Sequence, residues 1–184
     1  MLKVGLTGNI AAGKSEVEKI IKELNINVLD LDKVSHFVLE NDCKEAILKE
    51  FQTLDRKKIG AIVFKDENKK KLLESIIHPV LKEKIALFFK ENEKKALCVV
   101  SGALIFQAGF SELFNKTLYV EADKLLRLKR LMKRNSLDEK EALLRINSQN
   151  ELAKKLSDYI IENNSNISSL KNEVFKVIAE LKLL

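Results

Sequence analysis

The run Gly8-Asn9-Ile10-Ala11-Ala12-Gly13-Lys14-Ser15 satisfies G-x-x-x-x-G-K-[ST] at every required position. Its glycines let the backbone wrap so that successive N–H groups aim at the oxygens of a phosphate. A helix opening at such a loop adds the positive end of its dipole. Lys14 supplies a mobile positive charge for the outer phosphates of a nucleotide, and the Ser15 hydroxyl is a ligand for Mg²⁺. Gly8, Ala11, Ala12, Gly13, Lys14, Ser15 and Glu16 are therefore expected to cradle the phosphates of a nucleotide. Chance places this pattern in about one chain per hundred of this length, and its flanks reduce that figure further.

Those flanks are the elements that must hold the loop. Leu2 to Thr7 is a short apolar run, the pattern of a strand buried on both faces. Val17, Ile20, Ile21 and Leu24 then fall at i, i+3, i+4 and i+7, one face of a helix. Ile26 to Leu31 predicts a second strand, so the first 32 residues read strand, turn, helix, strand, the signature of a parallel sheet. Residues 33–95 carry helical periodicity and no strand pattern. Strands are expected again at Ala96–Val100, Thr117–Val120 and Tyr159–Ile161. Between the last two lie a basic helix, Lys124 to Arg134, and a capping-box pattern, Ser136 with Glu139. Leu170, Val174, Val177, Ile178 and Leu181 close the chain with an amphipathic helix.

Composition removes other classes. The chain has 184 residues, 46% of them apolar, which suits one α/β domain with a real core and excludes wholesale disorder. Lysine and arginine number 33 against 27 acids, a net charge of +6 that favours an anionic partner. Tryptophan is absent and aromatics are sparse among the basic residues, so nucleic acid is not the expected partner. Cys43 and Cys98 make neither a disulfide framework nor a metal spacing. No run reaches a membrane span, and Met1 to Gly5 lacks the pattern of a signal peptide. A cytoplasmic protein, monomeric or weakly self-associating, is expected. The guanine-reading N-K-x-D motif is absent, and motor ATPases are generally larger, so the phosphate loop reads as that of a small-molecule kinase.

Further segments make this more specific. Gly5-Leu6-Thr7-Gly8 leads the loop, and Asp30-Leu31-Asp32-Lys33 follows the second strand. Arg56-Lys57-Lys58-Ile59-Gly60-Ala61-Ile62-Val63-Phe64 and Leu73-Glu74-Ser75-Ile76-Ile77-His78-Pro79 lie in the helical stretch. Arg130-Leu131-Met132-Lys133-Arg134, Arg145-Ile146-Asn147-Ser148-Gln149 and Asp158-Tyr159-Ile160-Ile161-Glu162-Asn163 follow. In order and spacing these resemble the dephospho-CoA kinase family across nearly the whole chain. The resemblance implies a three-layer P-loop kinase fold around a parallel five-stranded sheet. Its core would comprise about 1–32, 96–123 and 155–184, with a helical acceptor-binding insertion at about 33–95 and lid helices at about 124–150.

The resemblance also implies transfer of the ATP γ-phosphate to the ribose 3′-hydroxyl of dephospho-CoA, the last step of coenzyme A biosynthesis, with Mg²⁺. Asp32 is the candidate base beside that hydroxyl. The sequence reading puts it at the end of the strand next to the loop strand, on the sheet edge where ligands bind. Asp30 is the fallback, and N-capping of the next helix is the structural alternative for Asp32. Arg134 and Arg130 match lid arginines that neutralise the transferring phosphoryl group. Arg56 and Lys57 are expected at the dephospho-CoA diphosphate, and Asn163 near adenine. His78 is a candidate substrate contact or a hydrogen-bonded structural residue; before Pro79 it is expected in extended or turn backbone. Phe37, Phe64, Phe88 and Phe89 are expected in the core.

The chain departs from the family pattern after the third strand. Ser101, Ala103 and Gln107 stand where an acid, a proline and a glutamate are usual, which puts Mg²⁺ affinity in question. Ala11, Ala12 and Glu16 also depart, although alanine keeps the backbone N–H. Two alternatives therefore stay open: a P-loop kinase for another small acceptor, such as a nucleoside or nucleotide, and an ATP-binding sensor with impaired catalysis.

Overall fold

The computed structural model describes residues 1–149 and 152–183. Residues 150 and 184, the last of the expected lid and core segments, lie outside the described residues. The chain divides into two compact units, Met1–Val28 with Asn92–Leu184, and Leu29–Glu91.

The first unit is built on β1 (Leu2–Gly8), α1 (Lys14–Glu23), β3 (Leu97–Ser101), β4 (Lys116–Glu121), α6 (Lys124–Asn135), α7 (Glu139–Asn147), α8 (Leu152–Leu156), β5 (Tyr159–Glu162) and α9 (Ile167–Leu181). With β2 (Val28–Asp30) they form a parallel five-stranded sheet in the order β2-β3-β1-β4-β5, flanked by helices. β1 pairs with β3 from Leu2 opposite Leu97, and with β4 up to Gly8 opposite Val120. Val4 and Leu6 are fully buried, as a central strand requires. Val17, Ile20 and Ile21 of α1 join Leu170, Val174, Val177, Ile178 and Leu181 of α9 in the same apolar cluster.

The strand order corrects the expectation that the second strand neighbours the loop strand, because β3 stands between them. The reason is burial. All of β3 is buried, which calls for a strand on each side, whereas β2 is three half-buried residues and suits an edge. β2 is also shorter than expected. The Asp30 side chain accepts the Lys33 N–H at 3.1 Å, so a helix starts at Leu31. Asp32 therefore sits in the first turn of a helix and not at a strand end, and Asp30 is the residue that caps.

Two further expectations are corrected locally. Ser136 does not open a capping box. It takes the left-handed conformation that ends α6, at φ 51°, and Asp138 caps α7 by accepting the Glu141 N–H at 2.7 Å. His78 is not extended either, and the second unit explains why.

That unit contains α2 (Leu31–Phe37), a π turn (Val38–Asp42), α3 (Lys44–Phe51), α4 (Arg56–Lys65) and α5 (Glu67–Glu91). Helices α2, α3 and α4 pack on α5. Ile77, Leu81, Ile85 and Phe89 make a continuous buried row along α5, and this row carries the helix through His78 and Pro79. Burial of the row outweighs the roughly 3 kcal/mol against an interior proline. Phe89 is in the core, but Phe37 is 56% and Phe64 90% exposed, contrary to expectation. Lys84 pairs with Asp42 at 3.3 Å and lies over the Phe37 ring.

Asp158 ties β5 to β4. Its Oδ2 accepts both the N–H and the hydroxyl of Thr117 at 2.8 Å, and Lys116 lies 3.2 Å from Oδ1. Partial burial pushes the carboxyl up, but the Thr117 and Lys116 hydrogen bonds outweigh it and leave the carboxyl below its ordinary value. A carboxyl with a lowered folded pKa stabilises above its unfolded value and loses that contribution as pH falls through the folded one. Asp158→Asn should therefore cost about 1 kcal/mol at neutral pH, with the deficit shrinking below about pH 4. Urea titrations of both proteins at pH 7 and pH 3 read this directly; an equal deficit at both would contradict it.

Candidate active site

β1 delivers the loop at the middle of the sheet's C-terminal edge, between β3 and β4. At Gly8 the chain passes so close to β4 that a Cβ would lie 2.6 Å from the Val120 carbonyl oxygen. The loop then closes on itself, Ala12 N–H donating to the Asn9 carbonyl at 3.0 Å. Ala11 takes φ 59° and Gly13 φ 103°, so the backbone turns over twice before α1. Left-handed backbone costs an alanine about 1 kcal/mol, the local penalty of Ala11 where glycine is usual. α1 opens at Gly13 with no side-chain cap. An uncapped N-terminus at the end of a wrapped loop is a site for phosphate oxygens.

The loop is braced from below. The Asn163 side chain, 7% exposed, donates to the Ala12 carbonyl at 2.8 Å, and its N–H donates to Glu121 at 2.8 Å. Arg130 donates to the Ala12 carbonyl at 3.4 Å and to the Asn163 carbonyl at 3.1 Å. The Ile10 N–H donates to Gln149 at 2.8 Å. The structure thus brings Arg130, Asn163 and Gln149 to the loop. Asn163 here holds the loop's backbone, a role distinct from the adenine contact expected of it. Arg134 is exposed, its Nε donating to Asn135 at 2.8 Å. Arg127, on the basic helix α6, has its Nε and Nη1 buried without a hydrogen-bond partner among the described residues.

Lys14 reaches two groups that sequence reasoning did not pair with it. Its Nζ lies 3.0 Å from Glu18 Oε1 and 3.0 Å from Ser101 Oγ, and Ser101 Oγ donates to that same Oε1. Ser101 is fully buried at the end of β3, while Ala103 and Gln107 are exposed beyond it. The i,i+4 spacing of Lys14 and Glu18 was the visible signal. Ser15 and Glu16 are exposed; Glu16 pairs with Lys19 at 2.8 Å. Among the described residues no group of His, Cys, Asp and Glu is placed to hold a metal ion. Ser15, exposed and next to Lys14 in the chain, offers a hydroxyl that fits a cation that keeps its waters and takes nucleotide oxygens, as Mg²⁺ does.

The other candidates belong to the second unit. Asp32 and His36 are one turn apart on α2. Burial lowers the His36 imidazole below its ordinary value, and Arg56 acts the same way against the opposing pull of Asp32, Glu40 and Asp30. Asp32, His36 and Arg56 therefore lie within one electrostatic neighbourhood, and His36 is the member that sequence reasoning missed. Arg56 and Lys57 are exposed at the start of α4, where Asp55 accepts the Lys57 N–H at 2.8 Å. His78 is half-buried within α5; burial lowers its imidazole while Glu74, one turn back, opposes this. No helix among the described residues is long and apolar enough to cross a membrane.

Comparison with known proteins bears on this arrangement as a whole. The family model for dephospho-CoA kinase matches residues 2–169. A dephospho-CoA kinase of Oceanobacillus iheyensis is 37% identical over 191 aligned positions, covering 96% of either chain. A crystal structure from Thermus thermophilus superposes with a TM-score of 0.84 at 30% identity, covering 98% of this chain and 97% of that one. The dephospho-CoA kinase of Campylobacter jejuni gives 0.72 at 31% identity with the same coverage. The chain belongs to the dephospho-CoA kinase family, the ATP-dependent transferases of coenzyme A biosynthesis.

Proposed function

We propose that this chain joins the γ-phosphorus of ATP to the 3′-oxygen of the dephospho-CoA ribose, breaking the bond to the β-phosphate oxygen and releasing ADP. The observation that carries the reading is the loop itself, with its two left-handed residues, its uncapped helix and Lys14 at the opening. Backbone N–H groups of the loop hold the phosphates, and Lys14 offsets charge on the outer ones. Asp32 orients the 3′-hydroxyl and accepts its proton. Arg134 neutralises the phosphoryl group in flight, and Arg130 keeps the loop in shape. Arg56, Lys57 and His78 bind the acceptor. Ser15 would hold Mg²⁺, which when bound draws together the phosphate oxygens and offsets their charge.

The test is ADP release from Mg-ATP with dephospho-CoA, set against a panel of nucleosides and nucleotides. Turnover with dephospho-CoA at least about a hundredfold above any other acceptor is expected, since a site built for one polar acceptor discriminates strongly. Preference for another acceptor, or ATP binding without turnover, would refute it.

A further inference from the structure

The Glu18 side chain is only 9% exposed, and its charge is offset by two groups. One is the hydroxyl of Ser101, which is itself fully buried. The other is the Lys14 ammonium at 3.0 Å. Burying a carboxylate is costly without such partners. Yet Lys14 is the group that the outer phosphates of a nucleotide require. When a triphosphate takes Lys14, Glu18 keeps, among the described residues, only the Ser101 hydroxyl and stands as a like charge beside the phosphates. The conflict disappears if a divalent cation enters with the nucleotide. Ser15 and Glu18 are neighbours one turn apart on α1, at i and i+3, so a cation held at the exposed Ser15 hydroxyl would stand within one helical turn of the carboxylate.

We infer that Glu18, fixed by Ser101, makes nucleotide binding conditional on a divalent cation: it repels the bare triphosphate and faces the hydration shell of the metal-bound one. Glu18 is thereby a positioning and selectivity residue, acting through Lys14 and the cation's waters. The inference rests on the phosphate-loop reading. It also accounts for Ser101, whose hydroxyl donates where a second carboxylate would collide with Glu18.

The experiment measures the affinity of the full chain for the non-hydrolysable analogue AMP-PNP by calorimetry, once with Mg²⁺ and once with EDTA. The ratio of the two affinities is compared among the parent, Glu18→Gln and the exchange variant Glu18→Ala/Ser101→Asp. Glu18→Gln keeps the side chain's shape and its hydrogen bond to Ser101. Its ratio should fall roughly tenfold or more, chiefly because binding in EDTA tightens, as loss of a like charge beside the Lys14 ammonium that the phosphates require dictates. A merely structural glutamate would instead weaken binding in both conditions alike. The exchange variant returns the carboxylate from β3 and should restore a parent-like ratio. In parallel, Mn²⁺ binding to the AMP-PNP complex, read by electron paramagnetic resonance, should weaken in Glu18→Gln. A parent-like ratio in Glu18→Gln, or an exchange variant as uncoupled as Glu18→Gln, overturns the inference. A parent chain that binds AMP-PNP under neither condition overturns the phosphate-loop reading along with it.

Discussion

Gly13→Ala abolishes nucleotide binding while the sheet stays folded: this is the expected result at the most constrained position of the loop. A methyl group at Gly13 would lie 2.1 Å from Asn163 Nδ2 and 3.3 Å from its Cγ, at a φ of +103° that L residues rarely adopt. Asn163 is not a flexible tip that can swing aside. It donates to Ala12 at 2.8 Å through its side chain, donates to Glu121 at 2.8 Å through its N–H, and accepts from Arg130 at 3.1 Å. The loop must therefore move, and the N–H groups that converge on a phosphate lose their common aim. Left-handed strain of about 1–2 kcal/mol adds to the steric conflict. Affinity for Mg-ATP should fall at least about a hundredfold, equivalent to about 2.7 kcal/mol. The apolar cluster between α1, α9 and the sheet takes only Ala12 from the loop among the described residues, so circular dichroism should retain the parent spectrum. Calorimetric binding within a few-fold of the parent would show that the loop does not hold phosphate through this geometry.

The parts legible in the sequence are those whose causes are local. The strand Leu2–Thr7, the glycine spacing and the apolar face of α1 lie within a few residues of one another, and they fold as read. The order of β2 and β3 was not legible, because parallel neighbours are chosen by burial across the whole sheet. The deciding fact, that β3 is buried throughout and β2 is not, exists only after folding. His78 misled for a related reason. The residue before a proline is pushed out of the helix by a local clash, and here a buried row from Ile77 to Phe89 outweighs it. Among the site residues, the loop announced itself, but nothing in the motif singled out Glu18. Its meaning depends on Ser101, 83 positions away. His36 was hidden likewise, since its environment is set by Arg56 on another helix. Motif reading finds residues that share a segment, and it misses partners that only the tertiary fold assembles.

Asp32→Asn is the second decisive substitution, and it should separate chemistry from binding. Asparagine keeps the size and the hydrogen-bonding reach of aspartate but cannot accept the proton of the ribose hydroxyl. General-base assistance contributes about 10²–10⁴ in rate, so kcat for ADP release with dephospho-CoA should fall by at least about a hundredfold. The residues assigned to the nucleotide are all in the first unit, so affinity for Mg-ATP should stay within about threefold. The fold of α2 should survive as well, because Asp30 and not Asp32 caps it, taking the Lys33 N–H at 3.1 Å. This makes Asp30→Asn the informative partner. Asparagine caps a helix about as well as aspartate, so this variant should keep its stability within about 0.5 kcal/mol and leave kcat nearly unchanged. The two carboxylates therefore predict different outcomes, lost turnover at Asp32 and retained turnover at Asp30. Should Asp30→Asn lose turnover while Asp32→Asn keeps it, the proton acceptor is the strand-end aspartate. If both variants turn over like the parent, the hydroxyl proton leaves by another route and Asp32 has no part in the reaction.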